Sequence, residues 1–203
     1  MPGPTALFWD VGGVLLTNGW DRSSRRKAVE HFNLDWDEFE DRHELVDSAF
    51  EKGQLGLEAY LDRTVFYRPR SFTREDFRNF MFGQSEPFPE TVAILDRLAR
   101  SKRYLMGTLN NESIELNLYR INRFGLRNYF DVFFSSCFLG VKKPDEAMYR
   151  LALQMTQRAP EDFVFVDDRP LNLECARGLG IHTIQFENAS QLERELSELG
   201  ITV

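Results

Sequence analysis

The chain has 203 residues, 42% of them hydrophobic and 28% charged, and 32 acidic side chains against 25 Lys and Arg give a net charge of −7. This length fits one domain, or a core domain with one modest insertion. A net negative protein repels a phosphate backbone, which argues against nucleic acid as a partner. No apolar run approaches the roughly 18 residues of a membrane span, and the chain does not open with the basic segment of a secretory signal. We therefore expect a cytoplasmic protein that binds neither nucleic acid nor membrane.

Five short apolar runs predict the strands of a parallel sheet. Each run stops at polar or glycine residues, which is typical of strands that are buried on both faces. The runs are residues 6–9, 104–106, 132–134, 163–166 and 183–186. Helical patterns separate the last four runs, and alternating strands and helices predict an α/β fold. We expect a Rossmann-like parallel sheet sandwiched by helices.

The segment after the first strand contains no strand pattern. Apolar side chains recur in it at helical spacing, for example in a stripe from Trp36 to Phe50, and Thr73-x-x-Asp76 has the form of a helix start. We therefore predict an all-helical insertion. The predicted division is an α/β core of residues 1–17 and 89–203 and a helical insertion of residues 18–88.

Residues that carry chemistry follow the predicted strands at their carboxyl ends, the edge at which open α/β sheets bind ligands. They are Asp10, Thr108, Leu109, Asn110, Lys143, Asp167 and Asp168. Three carboxylates in one cleft repel each other and take up protons unless a cation stands beside them. Oxygen ligands without His or Cys favour Mg²⁺. The pattern predicts a magnesium site in which one carboxylate can act as a nucleophile and a lysine offsets the charge of a phosphate dianion.

Taken singly, some of these residues also have a purely structural interpretation. Asp168 could cap a helix, Lys143 could be a solvated surface charge, and Thr108 could simply end a strand. Their order along the chain, each near a strand end, favours the catalytic interpretation.

The strand-end motifs resemble those of the haloacid dehalogenase superfamily of hydrolases. The segment Asp10-x-Gly12 resembles the first motif, whose leading aspartate is the family nucleophile, and Asp167-Asp168-x-x-x-Asn172 resembles the fourth motif, which holds the metal. The resemblance implies a phosphatase that uses Mg²⁺ and forms an aspartyl-phosphate on Asp10. It also implies that Asp10, Gly12 through its carbonyl, Asp167 and Asp168 form the metal site. Asp168 would bind the metal directly, and Asp167 would act through water or by orienting Lys143.

The second motif departs from the family pattern, whereas the third motif matches it. Thr108 resembles the second-motif hydroxyl that binds phosphate, although Leu109 stands where an asparagine is usual and Asn110 is displaced by one position. Gly140-x-x-Lys143 resembles the third motif, which carries a lysine. The resemblance implies catalytic roles for Asp10, Lys143 and Thr108, and substrate contacts by Thr108, Leu109, Asn110 and Lys143.

One departure bears directly on the mechanism. The helical insertion is similar to the C1 cap of the family's phosphatase subgroup, and the chain resembles glucose-1-phosphate phosphatase-like members. Where that subgroup usually has a second aspartate, acting as general acid and base, this sequence has Gly12. Losing a general acid typically costs about 10²- to 10⁴-fold in rate, and less when the leaving group is already good. We therefore expect a Mg²⁺-dependent phosphatase of a small phosphorylated metabolite, such as an anomeric or acyl phosphate.

Parts of the pattern also match three other functions. A dehalogenase would use the same aspartate on carbon without a metal, but a metal-free site should not concentrate acids such as Asp167 and Asp168. Phosphoryl transfer between sugar positions would require the acid and base that Gly12 lacks. A binding or regulatory protein that turns over little is consistent with Gly12 and Leu109. The sequence leaves open the substrate, the replacement for the acid (a residue of the insertion or bound water) and the oligomeric state.

Overall fold

The apolar runs form one sheet in a computed structural model that describes residues 3–202, so the first two residues and the last of the predicted core lie outside the described residues. The strands are β1 (Ala6–Trp9), β2 (Leu105–Asn110), β3 (Val132–Ser135), β4 (Phe163–Asp167) and β5 (His182–Gln185). Their order in the sheet is β3-β2-β1-β4-β5, and every pairing is parallel. This confirms the predicted α/β class. Because β1 lies between β2 and β4, the carboxyl ends of these three strands meet at the centre of the edge.

The helical insertion contributes five helices and no named strand between β1 and the rest of the core. They are α1 (Arg22–His31), α2 (Trp36–Glu44), α3 (Asp47–Glu51), α4 (Leu57–Thr64) and α5 (Arg74–Phe82). The predicted stripe from Trp36 to Phe50 therefore forms two helices rather than one. The predicted start at Thr73 is confirmed, since Thr73 and Asp76 form a reciprocal capping box. The helices enclose a separate apolar cluster that includes Phe39, Phe50, Tyr60 and Phe77.

The remaining helices cover both faces of the sheet. They are α6 (Pro89–Ser101), α7 (Ile114–Arg123), α8 (Ser136–Leu139), α9 (Glu146–Thr156), α10 (Pro170–Gly178) and α11 (Ala189–Glu198). Successive strand residues point to opposite faces, so Trp9 packs with α6, α7 and α11, whereas Phe8 packs with α9 and α10. Within residues 3–202, no helix combines the length and apolar character needed to cross a bilayer.

The second strand is longer than its apolar run predicts. β2 continues from Leu105 to Asn110, so Gly107, Thr108 and Leu109 lie inside the strand and not in the loop after it. β2 pairs with β1 along this stretch, and Gly107 lies directly opposite Phe8. A Cβ atom on Gly107 would stand 2.3 Å from the Phe8 ring, so a glycine is needed here within the strand.

The chain passes between the core and the helical insertion at two places, residues 15–19 and 84–88, which we call the two crossings. Hydrogen bonds join the two crossings to each other. The Thr17 amide donates to the Glu86 carbonyl (2.8 Å), and the Thr17 hydroxyl donates to the Gln84 carbonyl (2.7 Å). The Phe88 amide donates to the Leu15 carbonyl (2.8 Å). The insertion is thereby fixed beside the carboxyl edge of the sheet, directly after β1.

Candidate active site

A lysine lies between two carboxylates at the centre of the carboxyl edge. Asp10 directly follows β1, and Asp167 is the last residue of the neighbouring β4. The Nζ atom of Lys143 lies 2.9 Å from Asp10 Oδ2 and 2.5 Å from Asp167 Oδ2. The exposed fractions are 8% for Asp10, 3% for Lys143 and 0% for Asp167. These ion pairs are therefore shielded from water. Charges interact more strongly in the protein interior than in water, because the dielectric constant is lower there.

A third carboxylate completes an acidic cluster that one lysine does not balance. Oxygens of Asp10, Asp167 and Asp168 lie within 4.8 Å of one another. Asp168 Oδ1 is buried and has no hydrogen-bond partner in the described part of the chain. Gly13 makes room for this side chain: its φ is +79°, and a Cβ there would stand 2.4 Å from Asp168 Oδ2. An orphaned carboxylate oxygen beside two further carboxylates fits a hard divalent cation such as Mg²⁺.

Burial shifts the protonation equilibria of this cluster. Desolvation raises the pKa of Asp10 to about 7, against the opposing effect of Lys143. Burial, followed by the charge of Asp167, raises the pKa of Asp168. Burial lowers the pKa of Lys143, but the carboxylates of Asp10 and Asp167 outweigh it and the net pKa is raised. Lys143 is therefore held in its charged form, whereas a further positive charge would favour ionisation of Asp10 and Asp168.

Hydrogen bonds hold these side chains in place. Asn172 Nδ2 donates to both oxygens of Asp167 (3.1 and 3.0 Å), and the Arg169 amide donates to Asp167 Oδ1 (2.8 Å). The side chain of Asn111 accepts from the Lys143 amide and donates to the Lys143 carbonyl, each at 2.8 Å. The sequence interpretation did not assign Asn111 a role. The one sequence feature that could have indicated this role is the position of Asn111 directly after the second motif.

The second-motif residues lie in or at the end of β2 and not in the cavity lining beside Asp10. Thr108 is fully buried inside β2, and its Oγ1 has no hydrogen-bond partner within residues 3–202. Leu109 packs in the apolar cluster of the opposite face. Asn110 is 1% exposed, donating to Asn117 Oδ1 (3.2 Å) and accepting from Ser135 Oγ (2.8 Å). None of these three residues lines the cavity that contains Asp10, whereas Asn111 does. Their predicted contact with phosphate stays a prediction.

A cavity of about 500 Å³ separates the carboxyl edge from the helical insertion. Asp10, Gly12 and Lys143 line it from the core, and Trp20, His43 and Phe50 line it from the insertion. A Cβ atom on Gly12 would stand 3.0 Å from Asn18 Oδ1. The space that a second aspartate would occupy is thus partly filled by Asn18.

Comparison with known proteins places this constellation in a family. The haloacid dehalogenase-like hydrolase family matches residues 4–180, a range that contains the carboxylates, the lysine and the helical insertion. The chain belongs to this family. The predicted resemblance is therefore confirmed.

Relatives of this haloacid dehalogenase-like chain include phosphatases. Flavin mononucleotide hydrolase 1 of Arabidopsis thaliana is 32% identical over 162 residues, covering 80% of this chain and 65% of the relative. The phosphorylated carbohydrates phosphatase of Thermotoga maritima is 25% identical over 88% of this chain and 83% of its own length. The chain thus covers less than two thirds of the length of the Arabidopsis relative.

Solved structures share the haloacid dehalogenase-like fold. A haloacid dehalogenase family enzyme from Bacteroides thetaiotaomicron, in complex with magnesium and inorganic phosphate, superimposes with a TM-score of 0.75. The alignment covers 94% of this chain and 99% of the other, at 19% identity. At that identity the similarity establishes the common fold.

Proposed function

We propose that this protein is a Mg²⁺-dependent phosphatase of small phosphorylated metabolites that works through an aspartyl-phosphate on Asp10. One observation carries the proposal: Asp10 lies in a cavity at the carboxyl edge, paired with Lys143 at 2.9 Å and joined to Asp167 and Asp168 within 4.8 Å. Asp10, the carbonyl of Gly12, Asp167 and Asp168 would hold the metal. Phosphatases among the relatives support the same reaction class.

The reaction has two displacements at phosphorus. In the first, a carboxylate oxygen of Asp10 bonds to phosphorus, and the bond from phosphorus to the leaving oxygen breaks. In the second, water bonds to phosphorus, the bond to Asp10 breaks, and inorganic phosphate leaves. Lys143 offsets negative charge on the phosphoryl oxygens in both steps. Bound Mg²⁺ would neutralise charge on the carboxylates and phosphate and thereby favour the ionised nucleophile.

The leaving group must depart without an acid from position 12. Gly12 has no proton to give, so the leaving oxygen takes its proton from water or from the substrate itself. A stable leaving group lowers this barrier. We therefore propose a preference for anomeric, acyl or aryl phosphates over simple alkyl phosphates.

The predicted division of the chain would serve this chemistry. With residues 1–17 and 89–203 as the core, residues 18–88 would act as a cap that limits water in the cavity and contacts the leaving group. We place the enzyme in the cytoplasm, and the free thiols of Cys137 and Cys175 are typical of a reducing compartment.

Gly12 and the buried Leu109 favour one second candidate, a member of the family that binds a phosphorylated ligand and turns it over slowly. Both candidates bind Mg²⁺ and phosphate, so binding does not distinguish them. Turnover does.

Phosphate release with and without Mg²⁺ tests the proposal. The panel is glucose 1-phosphate, acetyl phosphate, an aryl phosphate, flavin mononucleotide and glucose 6-phosphate, with Asp10→Asn as the control. We expect Mg²⁺-dependent turnover that favours good leaving groups and falls at least about 10³-fold in the control. Turnover that survives Asp10→Asn would refute the nucleophile. No turnover on the panel would favour the binding protein.

A paired substitution tests the leaving-group argument. Gly12→Asp restores a potential acid, and Gly12→Ala adds only the Cβ atom that approaches Asn18. We expect Gly12→Asp to raise kcat/KM for glucose 6-phosphate by about 10-fold or more relative to Gly12→Ala, with a smaller effect on acetyl phosphate. Equal effects on both substrates would show that proton donation does not limit turnover.

A further inference from the structure

The helical insertion presents one histidine to the cavity that the proposed reaction does not use. His43 lies on α2 and is 8% exposed. Its ring is parallel to that of Phe39 and edge-on to that of Tyr60. It lines the same cavity as Asp10, from the side of the helical insertion. The ring lies among both aromatic and charged side chains, since Arg25 and Asp47 line this cavity as well.

A chain of two hydrogen bonds determines which nitrogen of His43 carries the proton. Trp20 Nε1 lies 2.8 Å from the Tyr60 hydroxyl, which lies 2.9 Å from His43 Nδ1. The indole N–H can only donate, so the Tyr60 oxygen accepts from it. The phenol proton then needs an acceptor, and of Trp20 and His43, whose nitrogens lie within 2.9 Å of that hydroxyl, His43 Nδ1 is the one that can accept. Nδ1 is therefore unprotonated, and the proton of the neutral ring resides on Nε2.

The environment keeps both rings in these states. Burial raises the pKa of Tyr60, so the phenol keeps its proton. Burial and then the charge of Arg25 lower the pKa of His43 to about 4. Glu40 and Asp47 act in the opposite direction, and Lys142 acts with Arg25. The ring is therefore neutral at physiological pH.

The Nε2–H group is left for a ligand. Nδ1 points at Tyr60, so Nε2, on the other side of the ring, has no hydrogen-bond partner in the part of the chain that the structure describes. Trp20 and Phe50 line the cavity with it. His43 is 8% exposed, and a donor that is largely shielded from water gains more from an acceptor than the same donor in bulk water.

We propose that the Nε2–H of His43 recognises a hydrogen-bond acceptor, an oxygen or a heteroaromatic nitrogen, on the leaving group of the substrate. This role rests on the proposed phosphatase function, because it places the leaving group between the carboxylates and the helical insertion. Trp20 and Tyr60 are positioning residues that fix the tautomer. The site thereby selects phosphate esters whose leaving group carries an acceptor remote from the phosphate.

Nitrogen NMR of the imidazole tests the tautomer without any substrate. In uniformly ¹⁵N-labelled protein the long-range proton–nitrogen pattern distinguishes the Nε2–H form from the Nδ1–H form, and His43→Gln assigns the signals. We expect the Nε2–H form in the wild type and a mixture of tautomers in Tyr60→Phe. A wild-type ring protonated on Nδ1 would overturn the inference.

Kinetics test the recognition. In His43→Leu we expect KM for glucose 1-phosphate and flavin mononucleotide to rise about 3- to 10-fold, the loss expected for one neutral hydrogen bond. The inhibition constant of inorganic phosphate should change less, because phosphate lacks the leaving group that His43 is proposed to contact. His43→Gln keeps an amide N–H near the place of Nε2 and should recover part of the loss. His31→Leu is the matched control, since His31 does not line the cavity.

The outcomes separate the two proposals. An unchanged KM in His43→Leu, with the Nε2–H tautomer present, would refute recognition by His43 and leave the phosphatase intact. Loss of turnover on the whole panel in the wild type would refute the phosphatase and with it the recognition role, while the NMR result would still describe the ring.

Discussion

At the scale of single residues, the site depends on how three acids share one buried cation. Lys143 contacts Asp10 and Asp167, whereas Asp168 Oδ1 has no partner within residues 3–202. An acid whose pKa is raised in the folded state binds protons more readily folded than unfolded, so its contribution to stability decreases as pH rises. The pKa of Asp10 rises from its ordinary value of 3.8 to about 7. Its contribution to stability therefore decreases between about pH 4 and pH 7.

Asp10→Asn should therefore change the pH dependence of stability in the absence of metal. Asparagine is neutral at every pH, so the variant lacks the cost of ionising Asp10 in its buried position. We expect the free energy of unfolding of the wild type to fall by about 2 to 4 kcal/mol relative to that of the variant between pH 4 and 7. Above pH 7 the difference between the two proteins should change little. Urea unfolding in EDTA measures the difference.

Mg²⁺ provides the control for this measurement. A cation that binds the ionised cluster should stabilise the wild type at pH 8 more than it stabilises Asp10→Asn. Parallel pH profiles in EDTA would show that Asp10 is ionised in the folded protein at no cost.

At the scale of elements, one arginine of α7 connects both crossings of the chain to the cavity. Arg120 is 2% exposed. Its Nε donates to Ser85 Oγ (3.0 Å), its Nη2 donates to the Thr17 carbonyl (2.9 Å), and its Nη1 pairs with Glu112 (3.1 Å). A Cβ on Gly19 would stand 2.3 Å from Nη2, so the first crossing packs directly on the guanidinium. The fork geometry of arginine suits three simultaneous partners.

Arg120→Met should destabilise the protein mainly by leaving Glu112 buried without its cation. We expect a loss of about 3 to 5 kcal/mol in the free energy of unfolding. Arg120→Met combined with Glu112→Gln removes the buried charge and should recover part of it. Urea unfolding of both single variants and the double variant gives the coupling energy. A fully additive cycle would mean that the two side chains do not interact.

At the scale of the whole molecule, the helical insertion contacts the core at a second place, away from the crossings. Lys142 Nζ lies 2.8 Å from Glu51 Oε2, and the Ser136 hydroxyl donates to the Glu51 carbonyl at 2.6 Å. Gly53, with φ +69°, approaches the Cys137 carbonyl so closely that a Cβ would stand 2.3 Å from it. The cavity is therefore bounded by contacts on two sides.

Lys142→Met should loosen this second contact while the sheet stays intact. The ion pair is partly exposed and contributes at most about 1 kcal/mol, so global stability should change little. We expect faster amide hydrogen exchange around α3 and unchanged exchange in β1 and β4. High salt should reproduce the effect in the wild type. Unchanged exchange around α3 would show that backbone contacts alone hold this edge of the insertion.

The order of elements and the residues of the acidic cluster follow from the sequence alone. Buried parallel strands are continuous apolar runs, and their carboxyl ends share one edge of the sheet. The sequence therefore predicts that Asp10, Asp167 and Asp168 lie close together. Lys143 could be placed there too. Each of these residues is recognised from the local sequence around it, and the parallel sheet then places all of them at the same edge.

Only the tertiary structure decided the end of β2, the placement of Thr108 and the proton position on His43. The strand continues through Gly107 because it pairs there with β1, which lies far away in the sequence, and the glycine leaves room for the Phe8 ring. No local pattern contains this contact. The tautomer of His43 depends on Trp20 and Tyr60, which lie 23 and 17 residues away along the chain. Periodicity indicates which residues are buried, but which atoms meet is decided by packing between distant segments.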